Sequence, residues 1–222
     1  MKKVELLAPA GNLEKLKVAL TYGADAVFIG GKEFSLRSKA SNFTIEEIKE
    51  GCDFAHKLNK KVHVTCNIVM HNNDLEGLEE YLIALEKAGV DAIITSSLYM
   101  VKLCKSLTKM EAHISTQQSI MNQEAINFWV SQGADRVVLG RECSLDNMRE
   151  FRKNTNIEIE AFVHGGMCSS YSGKCMLSNL MVNRDANRGG CAQSCRWNYN
   201  VYQGEESLSK VPFDFSMSSR DL

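Results

Sequence analysis

Three copies of one short pattern recur along the chain and constrain its fold more than any other feature. They run from Gly23 to Gly30, from Gly89 to Ser96 and from Gly133 to Gly140. In each copy a glycine suited to ending a helix is followed by Asp in a short connection and then by a continuous apolar run. Such runs are typical of parallel strands that are covered on both faces. Each copy therefore predicts a helix, a turn and a parallel strand.

Four more strand-like segments and six amphipathic segments complete the alternation. The strand-like segments lie near 4–8, 61–67, 111–117 and 157–164, and the predicted helices lie near 12–22, 44–58, 73–88, 98–106, 122–132 and 144–153. Because a parallel strand needs a crossover connection, this order indicates either a closed (β/α)₈ barrel or an open doubly wound sheet. We favour the barrel, since one motif in every second unit suits a ring of similar units.

The predicted barrel is incomplete in this chain. A complete barrel takes about 250 residues, whereas the chain has 222 and shows only seven strand patterns. We expect residues 1–164 to form barrel units one to seven. Residues 165–222 would form a Cys-rich metal-binding segment and the start of a missing C-terminal part, with a short strand or hairpin between Asn198 and Phe215. The fold class is thus α/β, a TIM-like (β/α)₈ barrel.

Composition and charge indicate an ordinary cytoplasmic protein. The 26 Lys and Arg residues nearly balance the 27 Asp and Glu residues, so the overall charge selects no class of partner. No apolar run has the length of a signal peptide core or a membrane span, and we expect no contact with a membrane. In a reducing compartment, eight Cys residues are expected to be thiols or metal ligands rather than disulfides.

Half of the Cys residues fall within one short, weakly apolar stretch. Cys168, Cys175, Cys191 and Cys195 are spaced C-x6-C-x15-C-x3-C, and neighbouring glycines allow the tight turns that ligation needs. Zinc and an iron-sulfur cluster both fit four thiolates, and the spacing leaves the metal open. The alternative is four unligated thiols. The other four residues, Cys52, Cys66, Cys104 and Cys143, are interpreted as buried structural thiols.

The predicted barrel places its chemistry at the carboxyl ends of the strands. The polar residues there that we predict to act in catalysis are Arg37 after strand two, Gln117 after strand five, Arg141 after strand six and His164 after strand seven. The two arginines would suit a carboxylate or a phosphate, because guanidinium binds both groups through two parallel hydrogen bonds. Capping and loop hydrogen bonds are the alternative role for each of these side chains.

Two further groups of residues stand out. Ionisable residues within predicted strands must point into the barrel or lie at its lower mouth. Internal pairing is expected for Glu5, His63 and Glu158, whereas His113 and Glu160 could contribute to a site with perturbed pKa values. Between His164 and Tyr202, four cations against Asp185 are interleaved with aromatic residues, a pattern that suits either a small RNA surface or solvated loops.

Several motifs resemble one known family. The run from Glu160 to Cys168, continuing through Tyr171 to Ser178, closely resembles the signature of the collagenase-like peptidases, family thirty-two among those of unknown catalytic type. Further stretches that look like family motifs are 6–12, 24–31, 115–117, 138–142 and 187–197. The resemblance covers almost the whole chain, and the end of the Cys-rich stretch is most similar to the tRNA-modifying branch.

This resemblance implies an oxygen-independent hydroxylase. Members of the family act on tRNA wobble uridine, ribosomal RNA or ubiquinone precursors, hold a [4Fe-4S] cluster with Cys, and are linked to prephenate as the source of the hydroxyl group. Carried over by motif, Cys168, Cys175, Cys191 and Cys195 would be the cluster ligands. The implied partners are tRNA or another RNA and a small dicarboxylate co-substrate.

Two other functions stay open. The first is the peptidase activity in the family's name, although the sequence has no H-E-x-x-H pair and no G-x-S-x-G elbow. A Cys168–His164 pair could be drawn, but a thiolate bound to a metal is not free to act as a nucleophile. The second is a non-catalytic subunit that presents the Cys-rich surface to RNA or to a partner hydroxylase.

Overall fold

A computed structural model describes residues 4–36, 42–209 and 215–218, in which seven parallel strands form one curled sheet. The strands follow one another across the sheet in chain order and are β1 (Leu7–Pro9), β2 (Ala26–Gly30), β3 (Lys61–Cys66), β4 (Ala92–Thr95), β5 (Glu111–Ile114), β6 (Arg136–Val138) and β7 (Glu158–Glu160). The helices are α1 (Leu13–Thr21), α2 (Ile45–Lys57), α3 (Leu78–Lys87), α4 (Leu98–Leu107), α5 (Gln123–Ser131), α6 (Leu145–Asn154) and α7 (Leu177–Val182).

The alternation of strands and helices confirms the prediction of an incomplete TIM-like barrel. Every neighbouring pair from β1 to β7 is parallel and is joined by a helix. Among the described residues β7 has no pairing with β1, so the sheet curls without closing. None of the described helices has the length and apolar character that a membrane crossing requires.

The repeated Asp performs the same task in each copy of the motif. Asp91, just before β4, accepts a hydrogen bond of 2.7 Å from the Val62 N–H at the start of β3. Asp135, before β6, does the same for Ala112 N–H in β5 at 2.7 Å. Asp25, before β2, accepts from Leu6 N–H at 3.0 Å. Each Asp therefore fixes the start of its strand against the preceding strand.

The apolar core lies between the sheet and the helices. One cluster joins β1–β4 to α1–α4, with Leu16, Ile48 and Leu82 fully buried, and a second joins β5–β7 to α5 and α6 around Ile126 and Trp129. Alternate strand residues supply the sheet side of these clusters, as expected for a pleated strand. Burial of this apolar surface is the main force that holds the crossover helices on the sheet.

The opposite face of the sheet is polar near the amino ends of the strands. Arg136, only 4% exposed, donates hydrogen bonds of 2.7 Å to Glu5 and to Glu158, and one of 3.3 Å to Glu160. Burial opposes the charge of Arg136, but these carboxylates raise its pKa. The predicted internal pairing is thus present, and it connects the segment before β1 to β7 through β6.

A buried histidine pair lies on the same face. The rings of His63 and His113 meet edge to face with their centroids 4.7 Å apart, and both side chains are fully buried. His113 Nε2 lies 2.9 Å from Glu111, whereas neither ring nitrogen of His63 has a partner in the described part of the chain. Burial, followed by the charges of His113 and Arg136, lowers the pKa of His63 well below its usual value.

The boundaries of strand seven and of the predicted helix 73–88 differ from the structure, whereas the predicted hairpin is present. Strand seven ends at Glu160 rather than at His164, because the residues after Glu160 leave the sheet for the Cys-rich segment. The predicted helix 73–88 is a 3₁₀ turn, Asn72–Leu75, followed by α3, since Gly77 adopts a left-handed conformation between them. The predicted hairpin is present as β8 (Tyr202–Gln203) and β9 (Glu206–Ser207), with a further bridge between Tyr199 and Phe215.

Candidate functional site

The Cys-rich segment, residues 165–197, lies across the carboxyl edge of the sheet and is anchored there at two points. The first anchor is Ser172, which is 1% exposed. Its N–H donates to Glu142 Oε1 at 2.9 Å, and its carbonyl accepts a short hydrogen bond from Ser119 Oγ. Its hydroxyl lies 3.4 Å from Thr116 Oγ1 and from Arg141 N. The loops after β5 and β6 therefore jointly fix the position of Ser172.

Two local features explain why the segment can approach so closely. Gly173 has φ +71°, and a Cβ there would lie 2.1 Å from the carbonyl oxygen of Gln117, so only glycine fits without displacement. Glu142 stays ionised as the acceptor: burial opposes the charge, but hydrogen bonds from its own backbone N–H and from Ser172 lower the pKa of Glu142. Gly173, Ser172 and Glu142 together form what we name the Ser172 latch.

The second anchor joins the segment to the loop after β3. Arg188 donates hydrogen bonds to Asp74 from both terminal guanidinium nitrogens, from Nη1 at 2.5 Å and from Nη2 at 2.9 Å. It also donates to the carbonyl oxygen of Val69. The backbone of Asn187 accepts a hydrogen bond of 3.0 Å from Val69 N–H. Through its hydrogen bonds to Asp74, Arg188 lowers the pKa of that carboxyl to about 2. The Cys-rich segment thus reaches from the loop after β3 to the loop after β6.

A cavity of about 550 Å³ opens between the latch and the ends of β6 and β7. Its walls come from the loop after β6, the start of α6, the two residues after β7 and the beginning of the Cys-rich segment. The lining residues that matter for chemistry are Arg141, Phe162, Cys168 and Tyr171. The cavity lies where the sequence predicted the site to be, at the carboxyl ends of the strands.

The four predicted metal ligands all lie on the Cys-rich segment as free thiols. Cys168 and Cys191 are exposed, whereas Cys175 and Cys195 are half-buried. Cys191 Sγ accepts a hydrogen bond of 3.4 Å from Gln193 N–H. Within residues 4–36, 42–209 and 215–218, however, no three His, Cys, Asp or Glu side chains lie close enough together to hold a metal ion. Four thiols are suitable ligands for a metal cluster, but the structure does not bring them together around one point. The four-Cys site therefore stays a prediction.

Of the residues predicted to act in catalysis, Arg141 alone among those that the structure describes lines the cavity. Arg141 lines the cavity, and its Nη2 donates to Ser170 O at 2.6 Å. Gln117 lies beneath Gly173, with its Oε1 accepting a hydrogen bond of 3.1 Å from Ser115 Oγ. His164 is exposed in the loop after β7 and is not part of the cavity wall. Arg37 lies outside the described residues.

Sequence reasoning did not find the residues that hold the segment in place. Ser172 carries no signal in the sequence, and the Asp74 partner of Arg188 lies 114 positions away along the chain. Glu142 falls within the stretch 138–142, which was identified only as resembling a family motif. The aromatic ring of Phe162 was assigned to a strand, whereas it lies beyond the end of β7 and lines the cavity.

The remaining cysteines have the structural role that was predicted for them. Cys52, Cys66 and Cys104 are buried in the larger apolar cluster, and Cys143 is half-buried beside the second cluster. Burial raises the pKa of Cys52 to about 12 and also raises the pKa of Cys143.

Comparison with known proteins shows similarity to enzymes of RNA modification. The tRNA hydroxylation protein P1 of Bacillus subtilis is 53% identical over 227 residues, a match that covers 100% of this chain and 54% of that protein. The 23S rRNA 5-hydroxycytidine C2501 synthase of Escherichia coli is 38% identical over 90% of this chain and 30% of its own length. The collagenase of Porphyromonas gingivalis is 35% identical over 98% of this chain and 55% of its own length.

The chain spans about half the length, or less, of these three relatives. Among solved structures, the U32 peptidase Mk0906 superposes with a TM-score of 0.61 over 72% of this chain and 68% of its own chain. The two sequences are 12% identical, so this likeness concerns the fold alone. The family model described as peptidase family U32 matches residues 11–222, which shows that the chain belongs to the peptidase U32 family.

Proposed function

We propose that this chain is the barrel part of an enzyme that hydroxylates RNA, with tRNA wobble uridine as the substrate and 5-hydroxyuridine as the product. The observation that carries this proposal is 53% identity, along the whole chain, to a protein named for tRNA hydroxylation. The similarity to an rRNA 5-hydroxycytidine synthase supports the same reaction class, since both names describe hydroxylation of an RNA. The site would be the cavity beside Cys168.

The geometry of the cavity supports a site of this kind. Its volume lies in the range of about 300–1,000 Å³ that is typical of small-molecule sites, and it lies at the edge where α/β barrels carry out their chemistry. The segment that forms one wall carries Lys174, Arg184 and Arg196 in addition to the engaged Arg188. These cations are suited to contact RNA phosphates.

We further propose that Cys168, Cys175, Cys191 and Cys195 hold a [4Fe-4S] cluster, with prephenate as the hydroxyl source. The donor set supports the cluster, because four unpaired thiols lie on one segment that has little apolar content of its own. Such a cluster would supply electron transfer. Since the thiols are not gathered in the described structure, the parts of the Cys-rich segment that carry them would have to come together when the cluster is loaded, as metal binding coupled to folding allows.

Anaerobic purification of the full-length protein tests the cluster. We expect a brown protein that contains iron and acid-labile sulfide in equal amounts, and loss of both in the Cys191→Ala variant. Cys104→Ala serves as the matched control, because this thiol is buried in the apolar core away from the segment. A colourless protein with stoichiometric zinc would contradict the iron-sulfur proposal and leave zinc as the metal.

Analysis of RNA nucleosides by mass spectrometry tests the reaction. A strain that lacks the gene should lose 5-hydroxyuridine from tRNA, and the full-length gene should restore it. Loss of 5-hydroxycytidine from ribosomal RNA instead would keep the reaction class and change the substrate. RNA that is identical in both strains would contradict the proposed function, and unaltered tRNA that binds tightly to the protein would favour a non-catalytic partner subunit.

Proteolysis is the alternative that a relative named collagenase brings forward. Within the described residues no hydrogen bond joins Cys168 to His164, and His164 does not line the cavity that Cys168 lines. A cysteine nucleophile needs such a base within reach. Cleavage of denatured collagen that is lost in Cys168→Ala and unaffected by chelators would revive this alternative.

A further inference from the structure

The cavity beside Cys168 is lined by several large apolar side chains. Leu145 begins α6 and Phe162 follows β7 by two residues, whereas Met167 and Tyr171 belong to the Cys-rich segment. All four are exposed, Leu145 by 69% and Tyr171 by 67%. Concentration of large exposed apolar side chains around one opening is typical of a binding site rather than of a plain surface.

The two aromatic rings are available for stacking. Phe162 is 47% exposed, and it lines the same cavity as Tyr171. In the part of the chain that the structure describes, neither ring packs against another aromatic ring. Flat faces that are exposed at one opening suit a flat ligand, and nucleobases of every type have such a face.

The polar groups of the cavity are few and nearly balanced in charge. Arg141 contributes a positive charge, and the neighbouring Glu142 contributes a negative one that is already committed to the Ser172 latch. The described residues accept one hydrogen bond from the Arg141 guanidinium, at Ser170 O, and its other N–H groups are available to a ligand. A guanidinium group can donate to the ring carbonyl oxygens of a pyrimidine.

This balance favours a neutral ligand over a dicarboxylate. Two carboxylates would need two cations, whereas among the described residues the wall carries one, Arg141, next to the carboxylate of Glu142. Arg196 lies at the rim: it is not part of the wall, but its Nη2 donates to the carbonyl oxygen of the lining residue Met167 at 3.2 Å. A cation at the rim and a neutral apolar interior match the two parts of a nucleotide, the phosphate outside and the base inside.

We propose that this cavity holds one unpaired nucleobase of an RNA loop, stacked against Phe162 and Tyr171, with Arg141 bonding its carbonyl edge and Arg196 contacting the backbone phosphate. The inference rests on the proposed function and adds to it the place where the target base binds. Because a base within a duplex keeps its faces covered by neighbouring bases, the site would select loops over stems.

Binding measurements on the full-length protein test this assignment. The probes are a fluorescent RNA hairpin with an unpaired uridine-containing loop and a duplex with the same stem sequence. We expect Tyr171→Ala and Phe162→Ala each to raise the Kd for the loop roughly 5- to 150-fold, the range expected for one lost stacking contact, and to leave duplex binding unchanged. Tyr171→Phe should keep the affinity, because it keeps the ring.

Tyr22 serves as a matched control. It follows α1 at the opposite end of the barrel and is 86% exposed. Replacing it by Ala should leave loop binding unchanged. Because Phe162 and Tyr171 are largely outside the apolar core, their variants should melt within about 2 °C of the wild type, since surface changes shift stability by about 0.5 kcal/mol or less.

The outcomes separate this assignment from the proposed function. If wild-type protein hydroxylates RNA while both Ala variants keep their loop affinity, the assignment is wrong and the function stands. If the variants lose loop binding in a protein that never hydroxylates RNA, the base site stands and the function fails. Competition between prephenate and the RNA loop that is abolished by Tyr171→Ala would assign the cavity to the dicarboxylate and overturn the assignment.

Discussion

The Ser172 latch predicts a specific effect of replacing Gly173 by Ala. The added Cβ would lie 2.1 Å from Gln117 O and 2.8 Å from the Gln117 Cα and carbonyl carbon, all of them backbone atoms that have little freedom to move. The Cys-rich segment would therefore have to move away from the loop after β5. That movement breaks the hydrogen bonds between Ser172 and Glu142, at 2.9 and 3.2 Å.

The magnitude follows from two contributions. A non-glycine residue at φ +71° costs about 1 kcal/mol. The two bonds to Glu142 are worth about 1 kcal/mol each, since the exposure of Glu142 weakens a bond to a charged group. Local opening of residues 168–176 should therefore become easier by about 2–3 kcal/mol, which is roughly a 30- to 150-fold faster amide hydrogen exchange.

Gly204→Ala is the control, because it has the same type of backbone strain without the contact. Gly204 has φ +62° in the turn between β8 and β9, and a Cβ there would have no atom within 4 Å. We expect this variant to leave exchange in 168–176 unchanged. Hydrogen exchange read by mass spectrometry makes the comparison, and exchange in Gly173→Ala equal to that in the control would refute the close approach of the segment to Gln117.

Three other perturbations test the polar groups of the barrel. Arg136→Met should lower the free energy of unfolding by about 3 kcal/mol, most of all at neutral pH, because a buried carboxylate then lacks its cation. In thermal unfolding, the melting temperature should fall by roughly 6–12 °C, whereas the exposed control Arg149→Met should leave it almost unchanged. Asp74→Asn should lower the free energy of unfolding by about 1 kcal/mol above pH 4 and leave it unchanged near pH 2. The reason is that the pKa of Asp74 is about 2 in the folded state and 3.8 in the unfolded state, so the stability that its charge provides is lost as the pH falls through this range. Equal losses of stability at both pH values would contradict the ion pair. His63→Leu should raise the melting temperature at pH 5.5 more than at pH 8. The pKa of buried His63 is lowered, so the wild-type protein loses stability as the pH falls below 6.5, and the variant does not. A melting temperature that is lowered at both pH values would show that His63 has a partner.

The sequence predicted the barrel because its signals are local. A glycine, an Asp and an apolar run in each copy specify a helix end, a turn and a buried strand, and Asp25, Asp91 and Asp135 form the same contact in the structure. The boundary errors are also local. Gly77 interrupts a pattern that reads as one helix, and the apolar residues after Glu160 read as strand although they line the cavity.

The site was less predictable because its contacts join distant residues. In the sequence Arg136 is part of the third copy of the repeat. The structure shows that it also donates a hydrogen bond to Glu5, which lies 131 positions earlier in the chain. Ser172 has no neighbours that mark it as a buried anchor, since its partners come from the loops after β5 and β6. Motif spacing predicted four thiols on one segment, whereas their arrangement depends on how that segment folds.

Complementation of a strain that lacks the gene tests the central claim most directly. Full-length genes that carry Cys168→Ala or Cys104→Ala would be expressed at equal levels, and 5-hydroxyuridine in tRNA would be measured by mass spectrometry. The account predicts that the Cys104→Ala gene restores the modified nucleoside and that the Cys168→Ala gene does not, because Cys168 lines the cavity whereas Cys104 is buried in the apolar core. Full restoration by Cys168→Ala would contradict it.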